Sequence, residues 1–112
     1  MCRLAAGPVT ANCAKSLTPV TLELGGKSPA VVASYYAIKT AAERVMWAKM
    51  FNGGQICTNV DYPVLPEGKV NKFIDEARKV TNARYPDINN GDYTAVIDQR
   101  SYDRLHSASS DG

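Results

Sequence analysis

The stretch that decides the fold class is Val20-Thr-Leu-Glu-Leu-Gly-Gly-Lys-Ser-Pro-Ala-Val-Val-Ala33. Apolar and polar residues alternate over its first five positions, the period of a strand with one buried face. The Gly25-Gly26 pair ends that strand, and residues 29–33 then form a short apolar run typical of a strand buried on both faces in a parallel sheet. Glu23 is therefore predicted at the carboxyl end of a strand, beside a glycine turn where backbone can approach a ligand closely.

Helical and strand patterns alternate along the rest of the chain. Residues 4–16 are weakly helical, and Thr40 and Glu43 have the spacing of a capping box that opens a helix through Phe51. The further predicted elements are a strand at 62–65, a helix at 70–80, a strand at 93–97 and a helix at 101–107. Strands that alternate with helices predict an α/β fold with parallel strand pairing.

Composition and charge exclude several classes of protein. The 112 residues are 45% hydrophobic and 21% charged, with 13 basic and 11 acidic side chains and a net charge of +2. These values argue against disorder, and the basic excess is too small to indicate a nucleic acid partner. The longest uncharged stretches, such as 4–14 and 50–60, are much shorter than the roughly 20 residues that span a membrane. Three cysteines are too few and odd in number for a disulfide framework, so we expect a soluble, cytoplasmic protein without a membrane partner.

A thiol and a carboxylate are the candidate chemical groups. Asn52-Gly53-Gly54 is a helix-stop pattern, and Cys57 follows it on a predicted loop. A cysteine and a glutamate, Glu23, without a partnered histidine are typical of a covalent thio-intermediate in which the carboxylate activates a second nucleophile. This pattern favours acyl or aldehyde chemistry over peptide hydrolysis.

Other interpretations of these residues stay open at the level of sequence. Glu23 could be a solvated strand residue, and Cys57 could be a small buried hydrophobe. A hydrolase that pairs Cys57 with His106 is compatible with the sequence, but it leaves Glu23 and the glycine turns unexplained. His106 has no second ligand at metal spacing, so no metal site is expected. Gly26-Lys27-Ser28 imitates the end of a phosphate-binding loop, but Thr21 stands where its first glycine is required.

Two stretches, residues 20–29 and 52–57, resemble the glutamate and cysteine signatures of the NAD(P)-dependent aldehyde dehydrogenase family. The interval between Glu23 and Cys57 also matches the family's usual interval, and the similarity runs from about Ala14 to Leu105. The flanking stretches that share it are Lys15–Val20, Ala41–Arg44, Asp61–Tyr62 and Asp92–Ala95. The last two are most similar to the class 3 and coniferyl aldehyde dehydrogenase branch.

The resemblance implies a partial aldehyde dehydrogenase fold at the junction of two domains. Residues 1–26 would be the end of the Rossmann-like cofactor-binding domain, and residues 27–112 would be the first part of the parallel-sheet catalytic domain. Family chains are several times longer. The dinucleotide-binding strands, the phosphate-anchoring loop and the asparagine of the oxyanion hole have no counterpart here, so the chain is expected to be a fragment.

The resemblance also implies roles for individual residues. Cys57 would be the nucleophile and Glu23 the general base, while Leu24 and Gly25 would border the nicotinamide pocket of NAD or NADP. Gln55 would shape the loop that presents the thiol. The substrate would be an aromatic or medium-to-long aliphatic aldehyde, and the full-length parent would be a homo-oligomer. The alternative is a catalytically incomplete fragment with at most a structural or assembly role.

Overall fold

The computed structural model describes residues 2–110, with side chains from Ala5 onward. The elements in chain order are helix α1 (Cys2–Ala14), strand β1 (Ser28–Val31), helix α2 (Ile38–Met50), a 3₁₀ turn (Phe51–Gly54), strand β2 (Val60–Val64), helix α3 (Val70–Arg84) and helix α4 (Gln99–Ser110). No helix within residues 2–110 has both the length and the apolar character needed to cross a bilayer.

Strands β1 and β2 form a parallel pair connected by α2. Pro29 pairs with Tyr62 and Val31 with Val64, after a register irregularity between Ser28 and Pro29. The prediction of an α/β fold with parallel pairing is confirmed. A proline at position 63 is tolerated inside β2 because each strand of a two-stranded sheet is an edge strand.

The core lies where α2 packs against α3. Its buried members are Ile38, Ala41, Ala42 and Phe73. Alanines on α2 leave room for the aromatic ring of Phe73, so the two helices can approach each other closely. Half-buried side chains that include Val32 and Leu65, the residues directly after β1 and β2, pack against this cluster.

The predicted start of α2 is wrong. The helix begins at Ile38, and the Ala41 N–H already donates to the Ala37 carbonyl at 3.0 Å. Thr40 therefore lies within the first helical turn, and the N-cap position, Ala37, has no side-chain cap. The apolar period that continues upstream through Ile38 outweighs the capping-box spacing.

Two predicted strands, at 20–24 and 93–97, are also wrong. Both stretches lack regular secondary structure. A strand needs a neighbour with which to exchange backbone hydrogen bonds, and the only described sheet consists of β1 and β2. Helix α1 precedes the first of these stretches, and its described side chains from Ala5 are exposed apart from half-buried Ala6 and Cys13.

Candidate active site

Cys57 lies on a tight turn that follows the end of α2. Three successive residues after the helix have left-handed backbone: Asn52 (φ 52°), Gly53 (φ 61°) and Gly54 (φ 78°). This run reverses the chain within the 3₁₀ turn, and glycine adopts such angles without steric cost. The Asn59 N–H then donates to the Ile56 carbonyl at 3.2 Å, which closes the turn that contains Cys57. The thiol is free and its residue is exposed.

A second segment, residues 94–97, packs against this turn. A Cβ at Gly53 would lie 2.7 Å from the Thr94 carbonyl oxygen, so the two backbones are in direct contact. The Gln55 side-chain amide donates to the Ala95 carbonyl at 3.1 Å and accepts from the Ile97 N–H at 3.0 Å. These long-range bonds attach the second segment beside Cys57.

The two segments and α4 enclose a groove of about 630 Å³. Its lining is mainly apolar, and its polar members include the Cys57 thiol, the buried Ser101 hydroxyl and the Arg104 guanidinium, with Asn52, Gln55 and Thr94 nearer the turn. The side chains that carry this character are Ile56, Cys57, Val96, Ile97, Ser101, Arg104 and Leu105. Such a groove can hold an apolar molecule against the thiol.

The Gly25-Gly26 turn reaches the same groove. Gly25 lines it, and a Cβ at Gly26 would lie 3.6 Å from the Cys57 carbonyl oxygen. Leu24 is half-buried and is not among the groove-lining residues. Glu23 is exposed and also lies outside the lining, two residues before Gly25. The structure thus brings the glycine turn, rather than the carboxylate itself, into the groove with Cys57.

An ion pair joins the segments that carry Glu23 and Cys57. The Lys27 Nζ lies 3.0 Å from Asp61 Oδ2, at the point where β1 and β2 begin. Lys27 is 81% exposed, so solvent screens the pair and its contribution to stability is small. Lys27 is thereby engaged with protein, and the phosphate-loop imitation has no support in its surroundings.

Helix α4 presents Ser101, Arg104 and Leu105 to the groove. Asp98 caps its N-terminus, since the Ser101 N–H donates to Asp98 Oδ1 at 2.7 Å. The Ser101 hydroxyl, and then this backbone N–H, hold the pKa of the Asp98 carboxyl below its ordinary value of 3.8. The cap therefore stays ionised at neutral pH and fixes the start of the helix that forms one wall.

Sequence reasoning missed the second wall of the groove. Nothing in the local pattern of residues 94–97 indicates that they meet Gly53, and Ser101, Arg104 and Leu105 carry no motif of their own. The one usable signal was the resemblance at Asp92–Ala95, which marks this region without giving its contacts. His106 is exposed and is not among the groove-lining residues, which disfavours a Cys57–His106 pair. Within residues 2–110, no cluster of three or more potential metal ligands is found.

Comparison with known proteins identifies the family of the chain. Residues 5–112 match the family model described as "Aldehyde dehydrogenase family", and the chain belongs to that family. The resemblance inferred from the glutamate and cysteine stretches is thereby confirmed.

Individual relatives narrow the similarity to one branch. The chain is 48% identical over 94 residues to the "Coniferyl aldehyde dehydrogenase" of Pseudomonas sp. (strain HR199 / DSM 7063), a match that covers 83% of this chain and 20% of that protein. It is 36% identical over 99 residues to the "Aldehyde dehydrogenase, dimeric NADP-preferring" of Rattus norvegicus, covering 87% of this chain and 22% of the relative. The chain thus spans about a fifth of the length of these relatives.

A solved structure confirms the fold. The structure titled "Substrate bound state of Staphylococcus Aureus AldH" superposes with a TM-score of 0.79 at 32% identity. The match covers 93% of this chain and 23% of that one. The partial aldehyde dehydrogenase fold is therefore confirmed.

Proposed function

We propose that this chain supplies the nucleophile and the general base of an aldehyde dehydrogenase that oxidises an aldehyde to a carboxylic acid with NAD(P)⁺. The observation that carries the proposal is the shared groove of Cys57 and Gly25. One signature stretch contributes the thiol, and the other reaches the same groove through the glycine turn that follows Glu23. Residues 1–26 would then close the cofactor-binding domain, and residues 27–112 would begin the catalytic domain.

Cys57 would act as its thiolate and add to the aldehyde carbonyl carbon. The product is a thiohemiacetal whose oxygen carries negative charge until it is protonated, or until the carbon gives up its hydride to an acceptor and the oxygen becomes the carbonyl of a thioester. The Cys57 backbone N–H donates to no acceptor among residues 2–110, so it is free to stabilise that oxygen. One such donor contributes about 3 kcal/mol of transition-state stabilisation.

Glu23 would activate the water that hydrolyses the resulting thioester. Its carboxylate has no hydrogen-bond or ion-pair partner within the described part of the chain. Two extended residues place the Glu23 Cα within about 7 Å of Gly25, which lines the groove. The carboxylate would take a proton from water as the hydroxyl oxygen attacks the thioester, which releases the acid and the Cys57 thiolate.

Leu24 and Gly25 would border the nicotinamide ring of NAD or NADP. Apart from Gly25 and its two chain neighbours, no heavy atom of the described residues lies within 4 Å of the point where a Cβ at Gly25 would be, so a planar ring can approach this backbone closely. The bound nicotinamide supplies a hydride acceptor. This chain's part is to leave space for the ring beside the thiol.

The apolar lining of the groove supports an aromatic or medium-to-long aliphatic aldehyde as substrate. The relatives named coniferyl aldehyde dehydrogenases support the aromatic choice. We further propose a homo-oligomeric parent protein in the cytoplasm, where the thiols of Cys13 and Cys57 would stay reduced.

Alkylation of the thiols tests the nucleophile. Cys57 should react with iodoacetamide faster than Cys13 near neutral pH, because Cys57 is exposed and lines the groove whereas Cys13 is half-buried. Peptide mass spectrometry over a time course gives both rates in one sample. A Cys57→Ser variant should lose the fast site and a Cys13→Ser variant should keep it, whereas equal labelling of both cysteines would contradict the proposal.

Turnover tests the base within a full-length dehydrogenase that contains this segment. Cys57→Ala should abolish dehydrogenation. Glu23→Gln should retain a burst of NAD(P)H and lose steady-state turnover by about 100-fold, since the loss falls on thioester hydrolysis. Glu67→Gln, at an exposed position between β2 and α3, is the matched control. Undiminished steady-state turnover in Glu23→Gln would remove the assignment.

A catalytically incomplete chain with an assembly role is the second candidate. The observation that favours it is the coverage of about a fifth of the relatives' length. Incubation of the 112-residue chain with an aromatic aldehyde and NAD⁺ or NADP⁺ tests this second candidate. Production of NAD(P)H by this chain alone would exclude the second.

A further inference from the structure

Asn59 ties the turn that carries Cys57 to the end of helix α2. Its backbone N–H donates to the Ile56 carbonyl at 3.2 Å, and its side-chain Nδ2 donates to the Lys49 carbonyl at 3.2 Å. Lys49 lies in the last turn of α2, where helix carbonyls lack an intrahelical partner. One residue thus both closes the turn and anchors it to a rigid element.

The Asn59 side chain meets the chain on the other side of Cys57 as well. A Cβ at Gly54 would lie 3.3 Å from the Lys49 carbonyl oxygen and 3.7 Å from Asn59 Nδ2. The backbone that leads into the turn therefore passes directly over the hydrogen bond between the Asn59 amide and the Lys49 carbonyl. Since Gly54 and Asn59 flank Cys57 and meet at one carbonyl, the path between them is held at both ends.

The oxygen of the Asn59 side-chain amide, Oδ1, destabilises the folded state rather than stabilising it. It is buried and has no hydrogen-bond donor within residues 2–110. Rotation of the amide would not relieve this, because Oδ1 would then face the Lys49 carbonyl oxygen. A buried acceptor without a donor is destabilising, so a purely structural position would be better filled by another residue.

We propose that Asn59 is a positioning residue that aims the Cys57 thiol into the apolar groove. This inference rests on the proposed role of Cys57 as the nucleophile. Asn59 touches neither substrate nor cofactor in the proposal; it acts by holding the Ile56–Asn59 turn against α2. Loss of the Nδ2 donor should leave the thiol reactive but no longer directed along the groove.

The test compares two electrophiles on the same cysteine. Both reagents react with an accessible thiolate, but the phenyl ring of N-phenylmaleimide binds apolar surface and so speeds its reaction with a thiol aimed into the groove, whereas iodoacetamide is small and gains no such advantage. The measured quantity is the ratio of the two alkylation rates at Cys57, with Cys13 as internal reference. Asn59→Ala and the isosteric Asn59→Asp both remove the donor, and each should lower the ratio about threefold or more.

Two further variants keep the inference falsifiable if a donor deletion fails to fold. Asn59→Gln retains an amide donor and should keep the ratio within about twofold of the parent value. Asn71→Ala, at an exposed position of α3, should leave it unchanged. An unchanged ratio in folded Asn59→Ala or Asn59→Asp overturns the positioning role, as does a lowered ratio in Asn59→Gln equal to that of Asn59→Ala. Equal labelling of Cys57 and Cys13 in the parent would instead overturn the proposed function itself.

Discussion

Gln55 shows how one side chain builds the site at the residue scale. Its amide group donates to the carbonyls of Asn52 and Ala95 and accepts from the Ile97 N–H. The bonds to Ala95 and Ile97 are those that a neighbouring strand would supply. A side chain therefore replaces a strand partner and holds residues 95–97 beside Cys57.

Gly53 gives the prediction at this scale. Gly53→Ala should destabilise the protein for two reasons: a left-handed backbone costs about 1–2 kcal/mol for a residue with a Cβ, and that Cβ would overlap the Thr94 carbonyl. Gly68→Ala is the matched control, because Gly68 has a similar φ (71°) but nothing within 4 Å of an added Cβ. Urea denaturation should show a free energy of unfolding lower by at least about 1 kcal/mol in Gly53→Ala than in Gly68→Ala. Equal losses in the two variants would mean that residues 94–97 do not pack on Gly53.

At the scale of elements, the capped helix α4 determines one wall of the groove. Asp98 accepts a hydrogen bond from Ser101, and Ser101 is itself buried and lines the groove. The cap, the helix start and the wall are therefore coupled through two residues. Protonation of the Asp98 carboxyl should therefore reduce the stability of helix α4 as a whole.

The pH dependence of α4 follows from the sign of the Asp98 shift. Its folded-state pKa is lowered, so the ionised cap stabilises the helix above the ordinary value of 3.8, and that stabilisation is lost as pH falls through the lowered folded-state pKa. Far-UV circular dichroism during an acid titration should show loss of helix in this range. Asp98→Asn keeps a capping oxygen without a titrating group and should lose less helix over the same range. Superimposable titrations would contradict the role of the ionised cap.

The molecule is less compact than a single domain of its length is expected to be. Its radius of gyration is 18.0 Å, against about 13 Å expected for a compact domain of this size. One face of the sheet is bare: Val31 and Val64 are paired across the strands and are 77% and 46% exposed. Parallel sheets are normally covered on both faces. The apolar surface of this chain therefore exceeds what its own core can bury.

The bare sheet face gives a prediction for the molecule in solution. The double variant Val31→Thr and Val64→Thr should bind about twofold less of a hydrophobic dye and keep its unfolding midpoint, because threonine suits an exposed strand as well as valine does. Val32→Thr is the contrasting control, because Val32 directly follows β1 and packs against the buried cluster. It should lower the free energy of unfolding by about 1–3 kcal/mol, since its hydroxyl would enter the core. Unchanged dye binding in the double variant would show that the outer face is covered in solution.

Local sequence patterns predicted most of the regular elements. The helix predicted at 70–80 extends to Arg84, and that predicted at 101–107 extends from Gln99 to Ser110, because apolar periodicity and capping residues are local signals. The strands predicted at 20–24 and 93–97 failed because alternation indicates only that a segment suits a sheet. Whether a partner strand exists is decided elsewhere in the chain.

The candidate site divides in the same way. The amino-acid sequence alone determined the glycine-punctuated turn, the loop position of Cys57 and the family, since each depends on neighbouring residues or on a contiguous motif. Only the tertiary structure decided that Gly53 meets Thr94, that Gln55 holds residues 95–97, and that Arg104 of α4 joins the thiol in one groove. These contacts join residues about 40 positions apart, and the path of the intervening chain, not the local pattern at either end, brings them together.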